Sequence, residues 1–486
     1  MEVTLHHHIG QHQNIIEYFT SGEDAAWRWI AMEFAEGGDL FDKVEADLGV
    51  SEDIAHFYFT QLVSGVSYMH SKGVGHRDIK PENILLSSGG YLKLADFGLA
   101  TLFSLRNTRK LSTTMCGSPP YIAPEVIACN KDPQGRQRTS EGYSPDQVDV
   151  WSCGVVLFVL LVGNTPWDEP SSSSWEFDNY VRNDGRSSDE LWQKLPFSAL
   201  SLLRGMMKID SSARFTFEDV RRHPWFTRPN PYFDREGKIS SPISLATDML
   251  EGLKIDFSQK PSLTETTDAM DLDHGAFSQK FASTQPETPI NDMSFDWERP
   301  PRAIASEKWS ASQPTNAMSI NTSITNGNGF WDRLADDPGM SQFSAAPGVP
   351  LSLTQHAKRF QDLVPSHSLT RFFSHLPHNL LLPLISESLQ RLGIPTPSFS
   401  QSALQGRDSS AWIKVRTVDG RHCRLSGDIV VERTGIEGYQ EGEELLEVRF
   451  MKQTGDPLEW RRFFKKIVVL CKEGVSMPET TDQMAL

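Results

Sequence analysis

The sequence predicts an α+β chain built from a mainly helical large unit and a compact C-terminal α+β module. Three observations carry this. Helical periodicity dominates residues 35–227. From Arg228 to about Val364, Ser, Thr, Pro, Asn, Gly and Asp displace any sustained apolar repeat. Residues 366–478 then alternate between strand-like and helix-like patterns. A chain of 486 residues is long enough for two or three domains.

In chain order, residues 1–34 read as the remnant of a small lobe. Ser51 is placed to cap a helix, with Glu52 and Asp53 in its first turn, where the helix dipole favours acids. Ile54, Phe57, Tyr58, Leu62, Val66 and Met69 recur at helical spacing until Gly73 stops it. A second buried helix is predicted over Val148–Val162. Residues 228–365 are predicted to be a disordered linker, because too little apolar surface is available to offset ordering entropy. A short helix is predicted from Pro383, with Leu384, Ile385, Leu389 and Leu392 on one side and Gly393 ending it. Strands are predicted at Trp412–Thr417, Asp428–Glu432 and Leu445–Met451, and a last helix from Pro457.

Composition excludes some functions. Lys and Arg total 47 against 63 acidic residues, a net charge of −16, which does not favour direct nucleic-acid binding. The five cysteines show no C-x-x-C pair and fit a reduced intracellular protein. The longest apolar run, Val155–Val162, is too short to span a bilayer, and the N-terminus does not read as a signal peptide.

The chemistry sits in three motifs. Residues 76–83 read His-Arg-Asp-Ile-Lys-Pro-Glu-Asn, residues 96–98 Asp-Phe-Gly, and residues 123–125 Ala-Pro-Glu. Their order and spacing resemble the catalytic loop, metal-binding triplet and segment end of a protein kinase, and so predict that fold with a mainly helical C-lobe. Phosphoryl transfer needs positioning, charge neutralisation and a base. Asp78 is the candidate base for a Ser/Thr hydroxyl. Lys80 is placed to neutralise charge at the γ-phosphate of ATP. Asn83 and Asp96 offer hard oxygen ligands to Mg²⁺. Phe97 is expected to pack inward. Arg77 is a candidate seat for an activating phosphate or acidic group. Ser118 is placed to bridge Asp78 and Lys80, Glu125 to pair with Arg214, and Asp149 to accept hydrogen bonds from the catalytic loop. Glu33 and Ala35 supply backbone groups for adenine, with Met32 behind. Asp39 is assigned to ribose or to a basic substrate residue, and Leu85 to the adenine floor.

A closer resemblance follows from longer stretches. Gly-His-Arg-Asp-Ile-Lys-Pro-Glu-Asn-Ile-Leu-Leu (75–86), Met-Cys-Gly-Ser-Pro-Pro-Tyr-Ile-Ala-Pro-Glu (115–125) and Val-Asp-Val-Trp-Ser-Cys-Gly (148–154) resemble the DNA-damage checkpoint effector kinases of the calmodulin-kinase-like group. Leu-Thr-Arg-Phe-Phe-Ser (369–374) and Gly-Asp-Pro-Leu-Glu-Trp-Arg-Arg-Phe-Phe-Lys-Lys-Ile (455–467) resemble their C-terminal kinase-associated regulatory domain. The resemblance implies a nuclear Ser/Thr kinase, with some cytoplasmic presence. It also implies substrates with a basic residue before the acceptor, such as cell-cycle phosphatases, read by Asp39 and Glu82. Regulation is implied through a kinase–tail contact and through upstream checkpoint kinases acting on Ser-Gln or Thr-Gln. Ser258, Ser278, Thr284, Ser312, Ser341 and Thr354 are each followed by Gln. Phosphorylation there changes charge and tail docking.

One departure stands out. No Gly-rich loop and no strand lysine precede these motifs, and Glu2 aligns with the glutamate that such a lysine pairs with. The N-lobe therefore reads as truncated. A start assigned too late is the expected cause. The other reading is a short form or catalytically impaired kinase-like scaffold. His6, His7, His8 and His12 are expected on an exposed helix face. Arg461, Arg462, Lys465 and Lys466 are expected to face acidic lipid, the kinase lobe or solvent.

Overall fold

The structure is a computed structural model that describes residues 2–24, 27–106, 108–129, 142–257, 337–343, 349, 351–365, 368–396, 410–421, 423–434 and 445–477, with only the backbone of 351 and 352. The small-lobe portion is a helix, Glu2–Ile9, beside an antiparallel hairpin, Tyr18–Glu23 and Arg28–Met32. The helix Glu52–Ser71 begins as the capping pattern requires, with the Ser51 hydroxyl accepting from Ile54 N at 3.3 Å. It ends before Gly73, whose φ of +76° and approach to the Ser104 carbonyl leave no room for a Cβ.

The second core helix runs from Pro145 to Val162, about one turn earlier than predicted, because Pro145 takes a first-turn position after Ser144. Gly163, at φ +72°, returns its N–H to the Val159 carbonyl at 2.8 Å and ends the helix. This helix is long and apolar enough to cross a membrane, but 83% of it is buried inside the lobe, as a core helix is. A three-stranded sheet of Gly38–Asp39, Ile84–Leu86 and Leu92–Leu94 ties the hinge segment to the end of the catalytic loop.

The C-terminal module is a four-stranded antiparallel sheet in the order Arg371–Ser374, Leu446–Thr454, Arg424–Arg433, Ser410–Val418. Helices His378–Arg391 and Pro457–Leu470 pack with it around Phe372, Ile429, Val448, Phe450, Phe464 and Ile467. The first of these helices differs from expectation. It starts at His378, and Pro383 lies inside it rather than at its start. Proline removes the bond to the carbonyl four residues back, and that residue, Asn379, is exposed, so the cost falls where solvent can serve the carbonyl.

The linker reading of 228–365 also needs correction. Residues 242–251 form a helix whose Leu245, Ala246, Met249 and Leu250 are buried in the catalytic core. Further turns at Pro338–Phe343, Leu351–His356 and Phe360–Leu363 bury Met340, Phe343, Phe360 and Leu363. Short apolar clusters set among Ser and Pro carry little periodicity of their own. They order by packing on a surface that is remote in sequence. Residues 258–336 lie outside the described residues, as do Ser258, Ser278, Thr284 and Ser312.

Candidate active site

The catalytic loop is held from below by Asp149. Its carboxylate accepts from the backbone N–H groups of His76 and Arg77, each at 2.8 Å, and contacts His70 Nε2 at 2.7 Å. Arg77 takes φ +68°, an unfavourable conformation for a side-chain-bearing residue, which these two bonds support. Asp78 follows, buried, with its Oδ2 2.8 Å from Lys80 Nζ. The Ser118 hydroxyl donates to Asp78 Oδ1 at 3.1 Å and accepts from Lys80 Nζ at 3.1 Å. Asp78, Lys80 and Ser118 therefore form a closed triangle between the catalytic loop and the activation segment. Burial disfavours the Lys80 cation, but the carboxylates of Asp78, Glu82 and Asp96 outweigh it and hold the ammonium above its ordinary range.

Asn83 donates its amide N–H to the Asp78 carbonyl at 2.9 Å, which leaves the amide oxygen to ligate a cation. Asp96 is exposed at φ +64°, with Oδ1 accepting from Gly98 N at 3.1 Å. An amide oxygen and a carboxylate are the hard ligands Mg²⁺ takes, so Asn83 and Asp96 fit that ion. Phe97 is buried between the rings of His6 and His76, at 4.4 and 5.4 Å. His6 is thus buried, with Nε2 2.6 Å from the Ile16 carbonyl, and does not lie on the exposed face expected of it. His12 is half-buried and stacks on Tyr68, whereas His7 and His8 are exposed as expected. Among the described residues no cluster of ligating side chains suits a metal held by His.

The other positions fall as follows. Glu2 lies near Asp96; burial first and that like charge second raise its carboxyl. Glu33 pairs with Lys93 at 2.7 Å and accepts from Glu17 N at 3.1 Å, fixing the strand end that leads into the hinge. The Ala35 carbonyl accepts from Gly38 N at 3.0 Å, and Leu85, half-buried, pairs with Asp39 in the small sheet. Asp39 Oδ1 accepts from Phe41 N at 2.8 Å. Burial raises the Asp39 carboxyl to about 6 even though Lys452 pulls it down. Arg77 gives Nε to the Leu99 carbonyl at 2.8 Å and Nη1 to the Tyr143 hydroxyl at 3.2 Å. Glu125 receives both terminal nitrogens of buried Arg214, at 2.6 and 3.0 Å.

Sequence comparison matches residues 1–226 to the protein kinase domain. The chain is 38% identical to serine/threonine-protein kinase chk1 of Schizosaccharomyces pombe over 96% of its own length and 85% of the relative's. It is 34% identical to CHK1 of Saccharomyces cerevisiae, covering 88% of that protein. It is 30% identical to the serine/threonine-protein kinase grp of Drosophila melanogaster, covering 84% of it. The chain belongs to the Chk1 family of serine/threonine-protein kinases.

In this kinase the C-terminal module sits against the catalytic lobe. Arg461 is buried and reaches Glu45 at 3.1 Å and Gln342 at 2.6 Å. Arg462 reaches Asp47 at 2.7 Å and the Gly163 carbonyl at 3.0 Å, and Lys465 reaches Glu45 at 2.8 Å. Of the surroundings expected for this basic helix, the lobe is the one found for these three. Arg421 links Thr165 of the lobe, at 2.7 Å, to Asp419 and Asp456, each at 3.3 Å. Ser368 donates to Asp42 at 2.7 Å, and Leu369 N does so at 3.1 Å. The pairs that join the module to the lobe were not legible in the sequence, because their partners lie hundreds of positions apart. Two of the Ser/Thr-Gln sites are described. The Ser341 hydroxyl donates to the Pro338 carbonyl at 2.8 Å and its neighbour Gln342 is buried, whereas Thr354 is half-buried beside exposed Gln355.

Proposed function

We propose that the protein is an ATP- and Mg²⁺-dependent checkpoint kinase. It transfers the γ-phosphate of ATP to Ser or Thr in proteins that carry a basic residue before the acceptor, cell-cycle phosphatases among them. It acts in the nucleus, with some cytoplasmic presence, downstream of kinases that modify Ser-Gln and Thr-Gln sites. The observation that carries this reading is the Asp78–Ser118–Lys80 triangle. A base, a hydroxyl and an ammonium within hydrogen-bond reach of one another match what transfer to an alcohol needs.

Asp78 Oδ1 accepts the Ser118 hydroxyl in the resting site. An acceptor Ser or Thr presents a hydroxyl of the same kind to that carboxylate, which removes its proton as the oxygen attacks the γ-phosphorus and the bond from that phosphorus to the bridging oxygen breaks, with ADP leaving. Lys80 stays protonated and offsets charge on the transferring group. Asn83 and Asp96 would hold Mg²⁺, which would supply positive charge to neutralise the phosphate oxygens. Hinge residues Glu33 and Ala35 and the Leu85 floor orient the nucleotide. Glu125–Arg214 and Asp149 keep loop and segment in register.

The test is phosphate transfer to three peptides that differ only in a Ser, Thr or Tyr acceptor placed three residues after an arginine. Transfer to Ser and Thr at least tenfold faster than to Tyr is expected, as is a lower rate when that arginine becomes alanine. Equal transfer to Tyr, or indifference to the arginine, overturns the acceptor assignment.

A further inference from the structure

Tyr143 stands just before the core helix Pro145–Val162, and it touches both parts of the acceptor site. Its side chain is buried. Its backbone pairs with Ser112 of the activation segment in both directions. Tyr143 N donates to the Ser112 carbonyl at 2.8 Å, and Ser112 N to the Tyr143 carbonyl at 2.9 Å. Gly142 permits that approach, since a Cβ there would lie 2.6 Å from the Ser112 carbonyl oxygen.

The hydroxyl does more than fill space. It donates to the Thr114 carbonyl at 2.7 Å, accepts from Arg77 Nη1 at 3.2 Å and lies 3.6 Å from Cys116 Sγ. A phenol has one proton and two lone pairs, so these three contacts engage its full capacity. Burial pushes the hydroxyl well above its ordinary range, so it keeps the proton it gives to Thr114. Arg77 is met by neutral oxygens, the Leu99 carbonyl and this hydroxyl, and among the described residues no carboxylate pairs with its guanidinium.

Both ends of this contact are close to the reacting groups. On the loop, Arg77 directly precedes Asp78. On the segment, Cys116 lies two residues before Ser118, which bridges Asp78 and Lys80. Gly117 stands between them at φ +105°, where a Cβ would lie 2.9 Å from the Arg77 carbonyl oxygen. A shift of residues 112–116 is therefore passed on to Ser118 rather than absorbed in slack.

We propose that Tyr143 is a positioning residue for phosphate transfer. Its hydroxyl clasps Arg77 to the Thr114 carbonyl and so holds Ser118, Asp78 and Lys80 in the geometry that receives the acceptor. The inference rests on the acceptor-site reading above and adds a residue to it. Tyr143 acts through Arg77 and the segment, and the hinge residues that orient ATP belong to other elements.

The experiment compares the native full chain with Tyr143→Phe, Arg77→Met and the double variant. Initial rates are measured with an arginine-directed serine peptide at varied ATP and varied peptide. Tyr143→Phe keeps the ring and removes only the hydroxyl. Its kcat is expected to fall about tenfold, as suits loss of one hydrogen bond to a charged donor, with the KM for ATP unchanged. Because both side chains act through one contact, the double variant should be no slower than Arg77→Met. Native kcat in Tyr143→Phe, a KM for ATP that moves with kcat, or losses that multiply in the double variant each overturn the clasp and leave the acceptor-site reading intact. Hydrogen exchange of the Ser112–Ser118 amides supplies a readout without turnover and should be faster in Tyr143→Phe. If the native chain transfers no phosphate, the acceptor-site reading falls, and exchange decides the clasp: native protection in Tyr143→Phe overturns it. Circular dichroism checks that each variant is folded, and the kinetics of Tyr143→Phe decide alone if Arg77→Met is not.

Discussion

At the scale of single residues, the chemistry is local and was largely legible. His76 to Asn83 is one contiguous stretch, so backbone geometry alone brings Asp78, Lys80 and Asn83 together, and Asp149 fixes the loop from a recognisable Asp-Val-Trp-Ser context. Ser118 was legible by its spacing to Glu125, and Arg214 as the expected ion-pair partner of that glutamate. The roles of Tyr143 on Arg77 and of His6 under Phe97 were not, because a lone Tyr or His carries no pattern. Two predictions belong here. Glu125→Gln removes one carboxylate from Arg214, whose side chain has no exposure. Breaking a buried pair costs about 3–5 kcal/mol, and the low end is expected since the Lys208 and Gln147 carbonyls still accept from Arg214. A drop of about 3 kcal/mol in urea-denaturation stability checks it, and a change under 1 kcal/mol contradicts it. Asp39, with its carboxyl raised from 3.8 to about 6, holds a proton in the folded state that the unfolded chain releases earlier. Its contribution to stability is therefore full below about pH 4 and is lost as pH rises through 6. Asp39→Asn should flatten the melting-temperature profile between those limits. An unchanged slope contradicts the assignment.

At the scale of elements, the sequence identified helices by their stripes but misjudged those whose stripe is short. The helix Pro242–Glu251 has four buried residues in two adjacent pairs, and the catalytic core supplies the other half of that contact. The helix around Pro383 was shifted because proline marks first turns more often than interiors. The basic face of Pro457–Leu470 was ambiguous until Glu45 and Asp47 appeared opposite it. Burial decides the energetics here. Gln342 accepts from Arg461 and donates to the Gly339 and Leu369 carbonyls at 2.7 and 2.9 Å, joining the turn Pro338–Phe343 to the C-terminal helix. Gln342→Ala leaves a buried guanidinium nitrogen short of a partner and should cost about 1–3 kcal/mol. Leu458→Ala removes a buried side chain from the catalytic core and should cost about 2–5 kcal/mol. Both should speed limited proteolysis of the module in the full chain. Native protease resistance in both variants contradicts the docking surface.

At the scale of the whole molecule, Glu45 and Asp47 of the catalytic lobe meet Arg461, Arg462 and Lys465 of the C-terminal module, and the net charge of −16 does not reveal that division. The pieces of the fold were visible as motifs. Their mutual arrangement was not, because pairs such as Asp42 with Ser368 or Tyr121 with Asp456 join positions far apart in sequence. The central claim is that Asp78 is the base of a protein Ser/Thr kinase. The most direct measurement is phosphate transfer from ATP to an arginine-directed serine peptide by the purified full chain and by Asp78→Asn. General-base catalysis typically contributes 10²–10⁴-fold, so a fall in turnover of about that size is expected, with the fold and the Glu125–Arg214 pair intact. Equal turnover in the two proteins contradicts the account.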